Sequence, residues 1–223
     1  IAKRYLFSKS SNNAINIITI IAAIGVFAGA FSLFIVLSGF SGLREFSLAF
    51  ANEFDPDLKV IPKTGKTIIF PENLEEEFAK IDGIANYSKT IEERVFLEYE
   101  EKTAWAFIKG VDERYQQVTA IDSSVDGTWL TSSEPQVVIG ADISRKLNPG
   151  IFNYNRPMRL IVPKPGKGQV TNPADAFNQK SVIVSGIYNI NSDLNDKYVF
   201  SNIAFAQSLL DLDKNTYSAV EIK

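Results

Sequence analysis

The run Lys63-Thr64-Gly65-Lys66-Thr67 holds the triplet GKT, the part of a phosphate-binding loop that sets a lysine against the β- and γ-phosphates. The full pattern GxxxxGK[ST] needs a glycine at position 60. Val60 stands there, so the turn that cradles phosphates is incomplete, and the chain should not bind ATP by itself. Asp193, Asn195 and Asp196 carry oxygens of the kind that bind Ca²⁺, but the EF-hand spacing and its closing glutamate are missing. A polar turn is the better reading. Glu75-Glu76-Glu77 reads as the solvated face of a helix, and the glycosylation sequon Asn86-Tyr87-Ser88 is too common a pattern to carry weight. Cys and His are both absent, which removes Cys nucleophiles, His-based triads, disulfides and nearly every zinc site. No catalytic, cofactor-binding or metal-ligating residue emerges, so the sequence does not read as an enzyme.

The elements around these residues fall into two unlike parts. Ile15–Phe40 (INIITIIAAIGVFAGAFSLFIVLSGF) is 26 residues without a charge. As a helix at about 1.5 Å per residue it outreaches a hydrocarbon core of about 30 Å. A buried core helix and a cleaved signal peptide with Ala28-Gly29-Ala30 as its cleavage site are the alternatives. The apolar stretch continues past that site, where a signal peptide turns polar, so a membrane span is preferred. Lys3, Arg4 and Lys9 precede the run, while Arg44 with Glu45 follows it. The positive-inside rule then places the N-terminus in the cytoplasm and the following domain outside. Ala2–Ser8 (AKRYLFS) reads as a short interfacial helix. Gly25 and Gly29 form a GxxxG, a surface on which another membrane helix packs closely.

The remainder carries a different signature. Four of the 23 Lys and Arg precede Glu45 and none of the 26 acidic residues does, leaving 19 bases against 26 acids and a net charge of −7. Such a surface repels phosphate backbones, and nucleic acid is not an expected partner. The pattern predicts strands at Leu58–Pro62 and Thr67–Phe70, then a helix from the cap Asn73 to Gly83 with Glu76 completing a capping box. A hairpin is predicted with Glu93–Tyr99 and Thr103–Val111 around Glu100-Glu101-Lys102. Ala141–Leu147 and Ile203–Leu212 read as helices; Met158–Val162, Ser181–Tyr188 and Tyr217–Ile222 read as strands. Strands with a few short helices and no regular βα alternation give an α+β class. Residues 163–180 (PKPGKGQVTNPADAFNQK) form a long loop, of the kind that is usually functional or disordered.

Several stretches together resemble one family. IAKRYLFSKSSNNAINIITIIAAIGVFAGAFSLFIVLSGFSGL is similar to the start of permease subunits of the lipoprotein-releasing ABC transporter (LolC/LolE type), which belong to the wider MacB/FtsX group. GVDERY, DGTWL, VVIGADISRKL and VIVSGIYNINSDLNDKYVF follow in the order and spacing of that family's extracytoplasmic domain.

The resemblance implies one N-terminal transmembrane helix followed by an extracytoplasmic α+β subdomain with a mostly β insertion. On this chain the division is 1–44 for the cytoplasmic N-terminus and first span, 45–111 plus 217–223 for a split membrane-proximal subdomain, and 112–216 for the insertion with its loop at 163–180. It also implies that the chain is a fragment, ending inside the returning half of the split subdomain. The implied function is a permease that releases lipoproteins from the inner membrane, with the domain in the periplasm. Its partners are a cytoplasmic ABC ATPase subunit that holds ATP and Mg, a second or related permease, a periplasmic lipoprotein carrier and the lipoprotein cargo. No cofactor belongs to this chain. Phe34, Leu37 and Phe40 fall where the family holds acyl chains. The loop around Lys164, Pro165, Lys167, Pro173 and Phe177 stands where LolC-type members carry a hook for the carrier. MacB-like efflux or FtsX-like control of cell-wall hydrolases remain alternatives, as does a single-span anchored binding domain.

Overall fold

Alternation in the stretch around Val95 sets the architecture. In this computed structural model, which describes residues 13–71, 73–78, 80–131, 134–164 and 176–223, Val95 and Leu97 are fully buried and Tyr99 nearly so. They belong to β3 (Tyr87–Tyr99), which turns at Glu100-Glu101 into β4 (Lys102–Val111). Tyr99 pairs with Lys102, so the turn has two residues, and Glu100 takes the left-handed conformation at φ 55 that such a turn requires. The strand begins six residues earlier than its predicted start, because Tyr87–Glu92 pairs with the chain end as well as with β4.

The strand order closes on itself. After β4 and the short β5 (Val125–Gly127), which pairs β8 alone, the participants are β6 (Gln136–Gly140), β7 (Met158–Pro163), β8 (Phe177–Tyr188) and β9 (Tyr198–Asn202). β3 pairs β4, β4 pairs β9, β9 pairs β6, β6 pairs β8, β8 pairs β7, and β7 returns to β3. Six strands therefore form a barrel, a closure that leaves none of the six with an open edge along these ladders. Its filling is the main core: Val95, Leu97, Ile108, Val137, Ile139, Leu160, Val162 and Val199, joined by Ile143 and Leu147 of one helix (Ala141–Leu147) and Ala206 and Leu209 of another (Ile203–Leu210). The first helix has its predicted bounds. The second stops two residues early, at Asp211, whose φ of 57 ends the helical turn.

A smaller core lies beside the barrel, of Phe70, Tyr87, Val220 and Ile222 with Ile68, Phe78, Ile84 and Tyr217 packed against it. Here β1 (Leu58–Val60) pairs β11 (Ala219–Ile222), which pairs β3, while β2 (Ile68–Ile69) pairs β10 (Thr216–Tyr217). The predicted last strand is thus broken at Ser218, whose N–H turns to the Thr90 carbonyl and whose hydroxyl accepts from Glu92 N–H. The helix predicted from Asn73 to Gly83 is a single turn and a half, Leu74–Phe78. Strands from both sides of residue 111 share one continuous sheet.

The apolar run forms one helix, Asn13–Phe54, extending ten residues past Arg44. The chain divides into two units, Ile1–Ala51 and Asn52–Lys223. Ala2–Ser8 with Lys3, Arg4 and Lys9 lies outside the described residues.

Candidate functional site

On a barrel wall, residues that alternate with the core point outward and are ordinarily polar. One row breaks that rule. Trp105 of β4 pairs Phe96 of β3, Phe96 pairs Ile161 of β7, and Ile161 pairs Gln179 of β8. Two residues along, Pro163 pairs Phe177. These six side chains line one cleft of about 490 Å³. Trp105 is 58% exposed and Phe177 49% exposed, although the Phe96 and Trp105 rings meet edge to face at 4.9 Å. The next row toward the hairpin turn is ordinary, with Arg159 paired to Glu98. At the other rim the Arg94 guanidinium lies over the Trp105 ring, 4.6 Å from its centroid.

This cleft sits at the root of the predicted loop. The β7–β8 ladder runs out to Pro163 and Phe177, and Lys164 N–H donates to the Ala176 carbonyl. The connection therefore narrows from the expected 163–180 to 164–176, and Phe177 is a strand residue. Lys164 and Phe177 flank the connection; Pro165, Lys167 and Pro173 lie outside the described residues. The sequence singles out Phe177 only as a residue of the loop and gives no sign of Phe96, Trp105 and Ile161, because only the register of four strands brings them together.

The helix places the other expected residues. Phe34, Leu37 and Phe40 are all well exposed, at 67%, 61% and 71%. A side chain added at Gly25 or Gly29 would meet nothing within 4 Å. At 3.6 residues per turn Gly25 and Gly29 share a face, and Phe34 falls on the side opposite Gly25, with Leu37 and Phe40 winding back. Within the span Ile15–Ser47 an 18-residue stretch reaches a mean hydropathy of 2.7 with none of it buried, and the helix is long and apolar enough to cross a membrane.

The remaining candidates have these partners. Lys66 pairs with Glu93 at 2.8 Å. Asn195 is buried, donating to Asn189 Oδ1 and accepting from Ile190 N–H, and Asp196 pairs with Lys146. That segment forms a single helical turn, Ser192–Asn195, capped by Asn191. Among the described residues no group of three or more acidic side chains is placed to hold a metal ion.

One polar cluster escaped the sequence reading. Lys109 is buried on β4, 2.8 Å from the fully buried Glu221 on β11, while Lys59 on β1 reaches Glu221 at 3.4 Å and Glu92 on β3 at 2.9 Å. Tyr198 on β9 donates to Glu92 at 3.1 Å. Five strands are tied through these side chains. Burial works against the charge of Lys109, but Tyr115 and Glu221 outweigh it and hold the ammonium above the usual lysine range. Burial likewise opposes the Glu92 carboxylate, and Lys59, Lys109 and Tyr198 hold it below its usual value.

Both directions translate into stability. The Glu92 contribution is present above its unfolded value of 4.5 and is lost as pH falls through the lower folded value. The Lys109 contribution is present below its unfolded value of 10.5 and is lost as pH rises through the higher folded value. Thermal unfolding followed across pH should give a plateau between about pH 5 and about pH 10, falling on both sides. A midpoint that rises steadily through the alkaline limb would contradict this.

Comparison with known proteins places the fold. Residues 19–223 match the MacB-like periplasmic core domain. This chain belongs to that family. A curated relative is the lipoprotein-releasing system transmembrane protein LolC of Buchnera aphidicola subsp. Schizaphis graminum (strain Sg), 24% identical over 227 residues, covering 100% of this chain and 54% of that protein. The chain thus spans about half the length of that relative. Among solved structures, the extracellular domain of the noncanonic ABC-type transporter YknZ from Gram-positive bacteria aligns with a TM-score of 0.50 at 15% identity, covering 74% of this chain and 83% of that one. At that identity the likeness is one of fold.

Proposed function

We propose that this chain is the N-terminal part of an ABC transporter permease that releases lipoproteins from the bacterial inner membrane to a periplasmic carrier. The observation that carries the reading is the match to LolC along the whole of this chain. The family match and the exposed apolar helix support the coarser part of it, a membrane permease of the MacB/FtsX group. The N-terminus is cytoplasmic and the barrel domain periplasmic. ATP and Mg bind a separate cytoplasmic subunit, and closure of that subunit moves the membrane helices of two permeases together with their exported domains. Gly25 and Gly29 offer the face for helix packing, and Phe34, Leu37 and Phe40 contact acyl chains near the outer leaflet. The carrier docks at the 164–176 connection, through Lys164, Pro165, Lys167, Pro173 and Phe177.

Replacing Phe34, Leu37 and Phe40 together by Ala should leave a several-fold larger share of lipoproteins in the inner membrane, read by membrane fractionation of cells whose only copy is the variant. Unchanged sorting in that strain would remove the acyl role. MacB-like efflux is the second reading, favoured by the family match itself. Resistance to exported small molecules, falling in the same strain while lipoprotein sorting holds, would select it.

A further inference from the structure

We propose that the cleft on the outer barrel wall binds one long-chain fatty carboxylate, its alkyl chain along Trp105, Phe96, Ile161 and the Pro163–Phe177 pair, and its headgroup on Arg94. The cleft volume of about 490 Å³ lies within the range of about 300–1,000 Å³ usual for small-ligand sites, and its lining of aromatic and aliphatic side chains with a single amide, Gln179, has the usual composition. Trp105, Phe96, Ile161 and Gln179 stand side by side on four neighbouring strands. With strands about 4.8 Å apart, the row is about 14 Å long, the scale of an extended alkyl chain rather than of a compact metabolite.

Charge at the rim selects the headgroup. Arg94 lies on the Trp105 ring and, among the described residues, forms no ion pair. Arg159, on the other side of the row, is already neutralised by Glu98. The hollow beyond Trp105 adds Asp193, Asp196 and Lys197, with Asp196 paired to Lys146, so the set around Arg94 is one charge positive. A guanidinium offers a planar fork of donors that fits a carboxylate in two parallel hydrogen bonds. A monoanionic head therefore satisfies Arg94 while its chain covers the exposed Trp105 and Phe177.

The test reads Trp105 directly. The chain has 2 tryptophans, and Trp129→Phe leaves Trp105 as the reporter. The full chain in phosphatidylcholine nanodiscs is titrated with dibromostearate, whose bromines quench a tryptophan they touch. Saturable quenching is expected, with the half-saturating concentration raised about tenfold by Arg94→Gln. Dibromostearyl alcohol, which lacks the charge, should bind more weakly and be indifferent to that substitution. Phe177→Ser should weaken both probes, and circular dichroism melts report whether each variant is folded. Quenching that grows linearly without saturation, or that is the same in Arg94→Gln, would overturn the proposal, as would stronger binding of a zwitterionic dibromo-lysophosphatidylcholine. The measurement needs neither ATP, nor the ATPase, nor the carrier. Its failure leaves the lipoprotein-release reading standing, and the failure of that reading leaves this site untouched.

Discussion

Replacing Glu221 by Ala lowers the stability of the barrel domain by about 3–5 kcal/mol, because Lys109 then keeps its charge in the interior without its paired counter-ion. Lys109 is only 8% exposed and Glu221 1%, so water cannot take over the lost contact. In a domain of this size each kcal/mol moves the thermal midpoint by roughly 2–4 °C, and the variant should melt roughly 10 °C lower. Glu92, the remaining carboxylate of the cluster, is held by Lys59 at 2.9 Å and does not replace the missing partner. The double substitution Lys109→Met with Glu221→Leu removes both charges and should recover most of the loss, since apolar replacement of a buried pair is often neutral or stabilising. Differential scanning calorimetry of the parent, Lys109→Met, Glu221→Leu and the double variant measures the coupling. Additive effects would show that the two side chains act independently, against the geometry.

Deleting 165–175 and closing β7 to β8 with an Asn-Gly turn should leave the barrel folded and abolish carrier binding. The ladder reaches Pro163 and Phe177, and the bond from Lys164 N–H to the Ala176 carbonyl already brings the two ends together. A two-residue hairpin turn fits such ends. A deletion over the whole of 164–180 would be a poorer test, since it also removes Phe177–Lys180, which pair with β7. Calorimetry should find a midpoint within a few degrees of the parent, while immobilised domain should lose carrier retention at least tenfold. Full retention by the shortened protein would end the proposed role of the connection.

Much of this was legible in the sequence where one element carried its own signal. Ala141–Leu147 has its predicted bounds, because Gly140 opens it and Asn148 ends it in the left-handed conformation. The apolar run announced its helix by composition. The hairpin around Glu100-Glu101 followed from alternation on both sides. What stayed hidden depends on pairings between distant residues. Gln136–Gly140 and Tyr198–Asn202 are short and buried on both sides, so their sequences lack the alternation that marks a half-exposed strand. Without them the barrel does not close. The cleft was missed for the same reason, since Trp105 and Gln179 are 74 positions apart in sequence and meet through two intervening strands. The Lys109–Glu221 pair joins residues 112 positions apart, and neither residue looks unusual in its own strand.

The most direct test of the central claim is lipoprotein transfer in a reconstituted system. The full-length permease with its ATPase subunit is placed in proteoliposomes loaded with a radiolabelled lipoprotein, and the label appearing on soluble carrier is counted with and without ATP. Transfer that requires ATP and falls to the no-ATP level in the 165–175 deletion is the predicted result. Label that stays in the liposomes with ATP present and the intact connection in place would contradict the account.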